Sequence, residues 1–556
     1  MRVRCSTFLF VLALVAILSP LAPAVAEESI SAPINPAFLK YVEEAKAGRS
    51  AAIQGDHPTG YVPSPLDMSH LANQATTARN KGVLPTTYDL RTLGRVTSVK
   101  NQNPYGTCWA FATLGSVESF LMGDTVSGRS AENRDFSEMH LAWYAYTGAD
   151  AFTTDTPAFG EDPILDQGGN LWKSTALLSR WTGPVNETDC IYSESERPVG
   201  NWSNYTNQKH LTDVHYLLWN ASKTADTDIK NALMTYGGVA VAYYSSSTYY
   251  DPTNHTYYYN GANSSNHEVL VVGWDDNFDK TLFSPDAPAN GAWIVKNSWG
   301  TTWGDNGYFY LSYSDASLAD GAAFVVGPKT NYDNVYYYDP LGWIMARGYS
   351  NPTGWFANIF TAGNGSAGKS TTGTETLAAV SFYTASANST YDIRVYTGVT
   401  AGDPDSGALA LGPVSGTLVT PGYHVVALPS TVPLTTGQRF SIVVTLTTPG
   451  YNFPIPYECY RAGYSEKATA NPGESFISSN GAVWTDLTTA DATANVCLKA
   501  FTKTSTTTPT PTTTITPTVT HTPTVTGGGG GGGGCSAGMF APFALLLFVP
   551  LFLTRK

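Results

Sequence analysis

The sequence predicts an α+β fold: a two-lobed domain, with a helical lobe and an antiparallel β lobe, followed by an all-β, sandwich-like domain. Three observations carry this. Between residues 85 and 330, helix-like segments come first and strand-like runs follow, an order that segregates the two kinds of element. From 331 to 503 only short apolar or alternating runs remain, separated by Gly, Pro, Ser and Asp, as in a sandwich or barrel. The chain has 556 residues, too many for one core.

Composition narrows the class of partner. Apolar residues make up 42% of the chain and charged residues only 13%, with a net charge of −13 and no long run of one sign. A phosphate backbone is recognised by a basic stripe, so no nucleic-acid partner is expected. Nor does any spacing of His, Cys or Asp suit a metal, and no cofactor is expected.

Residues 1–26 carry the three parts of a secretory signal peptide. Arg2 and Arg4 precede an apolar run from Phe8 to Leu18, and the small residues Ala24-Val25-Ala26 end it. Residues 27–84 read as a pro-segment or N-terminal extension. Pro36–Lys46 suits a short helix, with Pro at its start and Leu39, Tyr41, Val42 and Ala45 on one face. Gly60–Pro65 must be extended, because residues before proline avoid the helical region.

Within 85–330, helices are expected at Cys108–Met122, Glu138–Ala145, Ser174–Trp181 and Asp228–Tyr236. Strands are expected at Gly238–Tyr244, Glu268–Asp275, Ala292–Trp299 and Gly307–Tyr313. In 331–503 they are expected at Thr376–Tyr383, Tyr391–Thr397, Tyr423–Leu428 and Arg439–Thr447. Residues 504–534 form a Thr/Pro/Gly-rich stalk, whose Thr/Pro part would reach roughly 70 Å if extended. Residues 535–556 join Cys-Ser-Ala-Gly to an apolar run and a basic end, Arg555-Lys556. The run from Met539 to Leu553, broken by Pro542 and Pro550, is short for a membrane span. A sorting signal is therefore preferred to a membrane anchor, and both place the chain at the cell surface.

Three blocks carry chemistry. In the first, VKNQNPYGTCWAF, Cys108 opens a predicted helix. A nucleophilic thiol must ionise, and the unpaired N–H groups and partial positive charge of a helix start favour the anion. Gln102 lies on the approaching loop, where its amide and the Cys108 N–H can serve a developing oxyanion. In the second block, NHEVLVVGW, His267 opens an apolar strand. The third, WIVKNSWGTTWGDNGY, offers Asn297 to hold the imidazole tautomer and Trp299 to shield that hydrogen bond from water.

These blocks, in this order, resemble the papain family of cysteine peptidases. The resemblance spans about 230 residues and implies a papain-like fold for 85–330. It also implies Cys108 as nucleophile, His267 as base and acid, Asn297 as orienter, and Gln102 as oxyanion donor. Gly168 and Gly169 match the glycines that admit substrate backbone, and Leu84–Arg91 resembles the start of the mature domain. Two departures stand out: where the family bridges two cysteines, this chain has Tyr105 and Asp166. The long helical inhibitory signature is also missing.

The later β domain is similar to the lectin-like module that accompanies surface papain-type peptidases, through YYDPLGW at 337–343 and the run from Asn351 to Phe360. Cys459 and Cys497 are candidates for a disulfide within it. The function these readings imply is a secreted, surface-anchored cysteine endopeptidase acting on proteins or peptides. A cell-surface or carbohydrate ligand is expected for the β domain. The rival reading is a catalytically silent adhesin on a papain scaffold.

Overall fold

A computed structural model of the protein describes residues 27–47, 57–73, 83–123, 134–146, 164–217, 226–365 and 374–504. The predicted signal peptide, the stalk from residue 505 onward and the C-terminal tail lie outside the described residues.

Helix α1, Pro36–Lys46, begins where Asn35 caps it: the Asn35 side chain accepts from the Ala37 N–H, and Pro36 needs no partner at the first turn. Helix α2, Cys108–Leu121, is buried on every side from Cys108 to Phe120, so it forms the axis of the peptidase-like region rather than a surface helix. Helices α3, Glu138–Tyr144, and α4, Leu171–Ser179, are capped by the side chains of Ser137 and Asn170. Helix α5 spans Asp226–Tyr236.

The β lobe is built on the strand His267–Asp275, buried throughout except at its last residue. It pairs antiparallel with Val239–Tyr243, in the register Tyr243↔His267, and with Ala292–Lys296. A strand buried on both faces reads as an unbroken apolar run, which is why it is visible in the sequence. Both lobes expected from the order of elements are present.

The sheet does not stop at the end of this region. Ala319–Pro328 pairs with Lys209–Leu217, a strand that the sequence reading omits. Lys209–Leu217 pairs in turn with Gly422–Thr435, through Gly422↔His215 and His424↔Asp213. Beyond that lie Thr374–Thr384, Leu498–Thr504 and Asn334–Tyr336, so one 13-stranded sheet runs from the peptidase-like region into the all-β region. One continuous apolar core follows it, containing Trp109, Leu114 and Leu177 together with Val380, Phe382 and Leu498.

A second, six-stranded sheet lies within the all-β region and includes Thr353–Thr361, Ser389–Thr397, Ala408–Leu418 and Arg439–Thr447. Phe356 of this sheet meets Phe382 of the long sheet edge-on at 6.4 Å, giving the expected sandwich character. A small sheet joins the N-terminus to the same region, with Ile30 opposite Gly348 and Ser31 opposite Arg347.

The proposed Cys459–Cys497 disulfide is not formed; both are buried free thiols. The register explains it. Strands Ile455–Glu458 and Asn495–Val496 pair with Tyr457 opposite Val496, and the Cys497 N–H donates to the Pro456 carbonyl. Cys459 therefore lies three residues further along, about 10 Å at strand spacing, whereas a bridge needs Cα atoms within about 7 Å.

The junction between the two regions depends on Gly422. A Cβ there would overlap the Val214 carbonyl oxygen, so Gly422→Ala should push two hydrogen-bonded strands apart. We expect a loss of about 1–3 kcal/mol, the usual cost of overpacking, read as a lower thermal midpoint. An unchanged midpoint would mean that the shared sheet is dispensable.

Candidate active site

Cys108 is the first residue of α2 and is 0% exposed. Its Sγ accepts the main-chain N–H of Glu268 at 3.3 Å, which sets the start of the helix against the start of the strand that bears His267. The imidazole Nε2 of His267 lies 2.9 Å from Asn297 Oδ1. That oxygen also accepts the Ser298 N–H at 2.8 Å, so it acts as acceptor and Nε2 carries the proton. Nδ1 is left as the basic nitrogen and makes no hydrogen bond. The Trp299 ring stacks on the imidazole at 4.7 Å and 18°.

Gln102 is fully buried and held at both ends. Its main-chain N–H donates to the Ser298 carbonyl at 2.7 Å, and its Oε1 accepts from Ser298 Oγ at 2.6 Å. Nε2 is thereby aimed outward, donating to the carbonyl oxygens of Tyr105 and Thr59, each at 3.0 Å. The structure thus brings Cys108, His267, Asn297, Gln102 and Trp299 to one place.

Thr59 belongs to the N-terminal extension, whose residues 57–66 fill the groove. The Gly169 N–H donates to the Gly60 carbonyl and the Val62 N–H to the Gly169 carbonyl, both at 2.8 Å, a parallel bridge of Tyr61 with Gly169. The Gly60 and Tyr61 N–H groups both donate to the Asn266 carbonyl, at 3.2 and 3.0 Å. Trp299 Nε1 donates to the Pro58 carbonyl at 3.0 Å, and the His57 ring stacks on Trp299. Gly168 has φ +71°, and a Cβ on it would lie 2.5 Å from the Gly60 oxygen. Gly168 is therefore required by close passage of a backbone, whereas a Cβ on Gly169 would lie 2.4 Å from the Trp109 ring.

Burial sets the charge state of this closed site. The Cys108 thiol is pushed well above its usual pKa by desolvation, with the nearby Glu268 carboxyl adding to the effect. His267 is lowered to about 4, also chiefly by burial. With the groove covered, the pair is a neutral thiol and a neutral imidazole.

The missing cysteine pair is replaced by a non-covalent tie, in which Asp166 Oδ1 accepts the Gly106 N–H at 2.9 Å. Tyr105 stacks under the Arg197 guanidinium and donates to the Glu194 carbonyl. The sequence reading passed over Glu268, Asp320 and Tyr61. Only Glu268 leaves a signal, as an acid set between His267 and the apolar run Val269–Val272.

A papain-like domain with a lectin-like companion is what this fold and site define. Residues 84–325 match the papain family cysteine protease domain, and residues 335–502 match the lectin like domain. Among solved structures, the cysteine protease and lectin-like domains of Cwp84, a surface layer associated protein of Clostridium difficile, are similar. They share 28% identity at a TM-score of 0.70, covering 86% of this chain and 99% of that one. Cwp84 after propeptide cleavage aligns at a TM-score of 0.62 with 29% identity, covering 75% of this chain and 99% of that one. Cysteine proteinase 1 of Dictyostelium discoideum is 29% identical over 243 residues, which are 41% of this chain and 61% of that protein. The chain thus spans about three fifths of that relative's length.

Asp166→Ala would leave the buried Gly106 N–H without this acceptor, beside the start of α2. An unsatisfied buried donor costs about 1–3 kcal/mol, so the thermal midpoint should fall. Wild-type stability in this variant would show that the loop before Cys108 needs no tie to residue 166.

Proposed function

We propose that this protein is a secreted, surface-attached cysteine endopeptidase, held latent by residues 57–66 until they leave the groove. The observation that carries this is the Thr59 carbonyl on Gln102 Nε2 at 3.0 Å. A peptide carbonyl of the chain itself occupies the position at which a substrate oxyanion would be held. The run is parallel to Gly169, and Cys108 stays an un-ionised thiol beneath it.

Once the groove is open, water and a substrate peptide replace the segment. Transfer of the Cys108 proton to His267 Nδ1 gives a thiolate and an imidazolium, the latter held by Asn297. The thiolate attacks the peptide carbonyl carbon, and the oxyanion receives hydrogen bonds from Gln102 Nε2 and the Cys108 N–H. Collapse expels the amine, which takes the proton from His267, and leaves a thioester. A water then gives its proton back to His267 and hydrolyses the thioester, restoring the thiol.

The surface location rests on the leader and tail of the sequence and on the description of Cwp84 as surface layer associated. The β domain is proposed to hold a carbohydrate of the cell envelope, on the strength of the lectin-like match.

A peptidyl epoxide should label the full chain slowly and label it at least tenfold faster once the chain is cut between residues 73 and 83 and the segment is displaced. The labelling should vanish in Cys108→Ala. In the activated chain, Gln102→Ala should lower kcat by about 100- to 1000-fold, the usual cost of one oxyanion donor. Undiminished labelling of Cys108→Ala would end the assignment.

A further inference from the structure

The loop that leads into the nucleophile, Gln102 to Thr107, is closed by a side chain from a later part of the chain. Tyr192 places its hydroxyl 2.7 Å from the Gln102 carbonyl oxygen and 2.6 Å from Thr107 Oγ1. A phenol has one proton to give, and here it goes to the carbonyl. The Thr107 hydroxyl is therefore the donor to the Tyr192 oxygen, and one atom holds both ends of the loop. Tyr192 is itself fixed. Its main-chain N–H donates to Glu187 Oε1 at 2.7 Å, and its ring meets Phe111 of α2 edge-on at 5.0 Å.

Thr107 stands where the cap of α2 belongs. A threonine in that place ordinarily has an extended backbone, and its oxygen accepts from the second or third N–H of the helix. Asn35, Ser137 and Asn170 do this for α1, α3 and α4, with ψ of 121°, 109° and 175°. Thr107 has ψ 15°, and its side chain makes no capping bond. The Ala110 N–H goes instead to the Thr107 main-chain carbonyl at 2.9 Å. The Cys108 and Trp109 N–H groups stay with the thiol, whose ionised form both favour, as does the Glu268 N–H.

We propose that Tyr192 is a positioning residue of the peptidase site. By tying Thr107 to Gln102 it keeps the threonine hydroxyl off the start of α2, and leaves those N–H groups to the sulfur anion and the oxyanion. The carbonyl it holds belongs to Gln102, the residue whose side-chain amide serves the same oxyanion. Without the phenol hydroxyl, Thr107 is released to turn extended and cap α2, taking the Trp109 N–H. The sulfur anion then loses a donor, while the helix gains an ordinary cap. This role rests on the peptidase reading above.

The test is the rate of Cys108 alkylation by iodoacetamide, followed against pH in the activated full chain. In Tyr192→Phe the profile should move upward by about one pH unit, so that alkylation on its acidic side is about tenfold slower. In Tyr192→Phe/Thr107→Val, which has no hydroxyl to cap the helix, the profile should return to the wild-type position. With peptides, Tyr192→Phe should lower kcat about fivefold or more while KM stays within about twofold. The titratable neighbours are the same in every variant: His267 as proton partner, Glu268 and Tyr243 about the thiol, and Tyr105, Glu138 and Asp166 about the phenol. A lower thermal midpoint with an unmoved profile makes Tyr192 a structural residue only and overturns the proposal. A displacement that persists in the double variant also overturns it, since Thr107 then plays no part. If the wild-type chain cuts no peptide, the peptidase reading fails, and the alkylation profiles alone decide how Tyr192 acts on the thiol.

Discussion

A helix start pressed against a strand start is the constraint on which this molecule depends. The Glu268 N–H reaches Cys108 Sγ at 3.3 Å only because α2 runs through the interior, buried from Cys108 to Phe120. Gly115 lets the helix approach the sheet, since a Cβ there would come within 3.1 Å of Leu270. Ser116 bonds to the Gly238 carbonyl and to the Phe324 N–H, fixing the helix to two strands at once. Close packing of this kind tolerates little displacement, so the thiol and the imidazole hold their relative position without a disulfide nearby.

The elements that hold the site were legible in the sequence to the extent that their causes are local. Cys108 opens an apolar helix, His267 opens an apolar strand, and Asn297 follows another; each can be read from a dozen neighbouring residues. The register between distant strands has no such local signature. Lys209–Leu217 alternates too weakly to stand out, yet it joins the two halves of the longest sheet. The same blindness produced the disulfide expectation for Cys459 and Cys497, because two cysteines in one domain say nothing about which residues face each other. Asp320, which accepts from the Tyr61 hydroxyl, was invisible for a related reason: its direction comes from a bulge, and a bulge is a property of two strands.

The lectin-like region is more than an appendage to the groove. Its Tyr464 hydroxyl is bonded to Asn170 Nδ2 at 2.9 Å, and the same amide donates to the Val62 carbonyl at 2.7 Å. Tyr464 also meets Phe38 of α1 edge-on at 5.7 Å, and the buried Lys173 ammonium lies over its ring. One wall of the groove is therefore braced by an aromatic side chain from the other region, so substitutions far along the chain bear on how the groove is shaped.

The N-terminal extension is moored at several places, among them Phe38 against Tyr464 and His70 stacked on Tyr451. Ile30 and Ser31 extend a small sheet of the lectin-like region, while Tyr61 and Val62 pair with Gly169 across the groove. A single cut between residues 73 and 83 would turn the extension into a separate peptide still docked through Ile30 and Ser31. Its local concentration at the groove would then be that of a tethered ligand, in the millimolar range for a short flexible tether. Maturation in such an arrangement is a matter of avidity: the extension must lose its grip at each of these places before the groove is free.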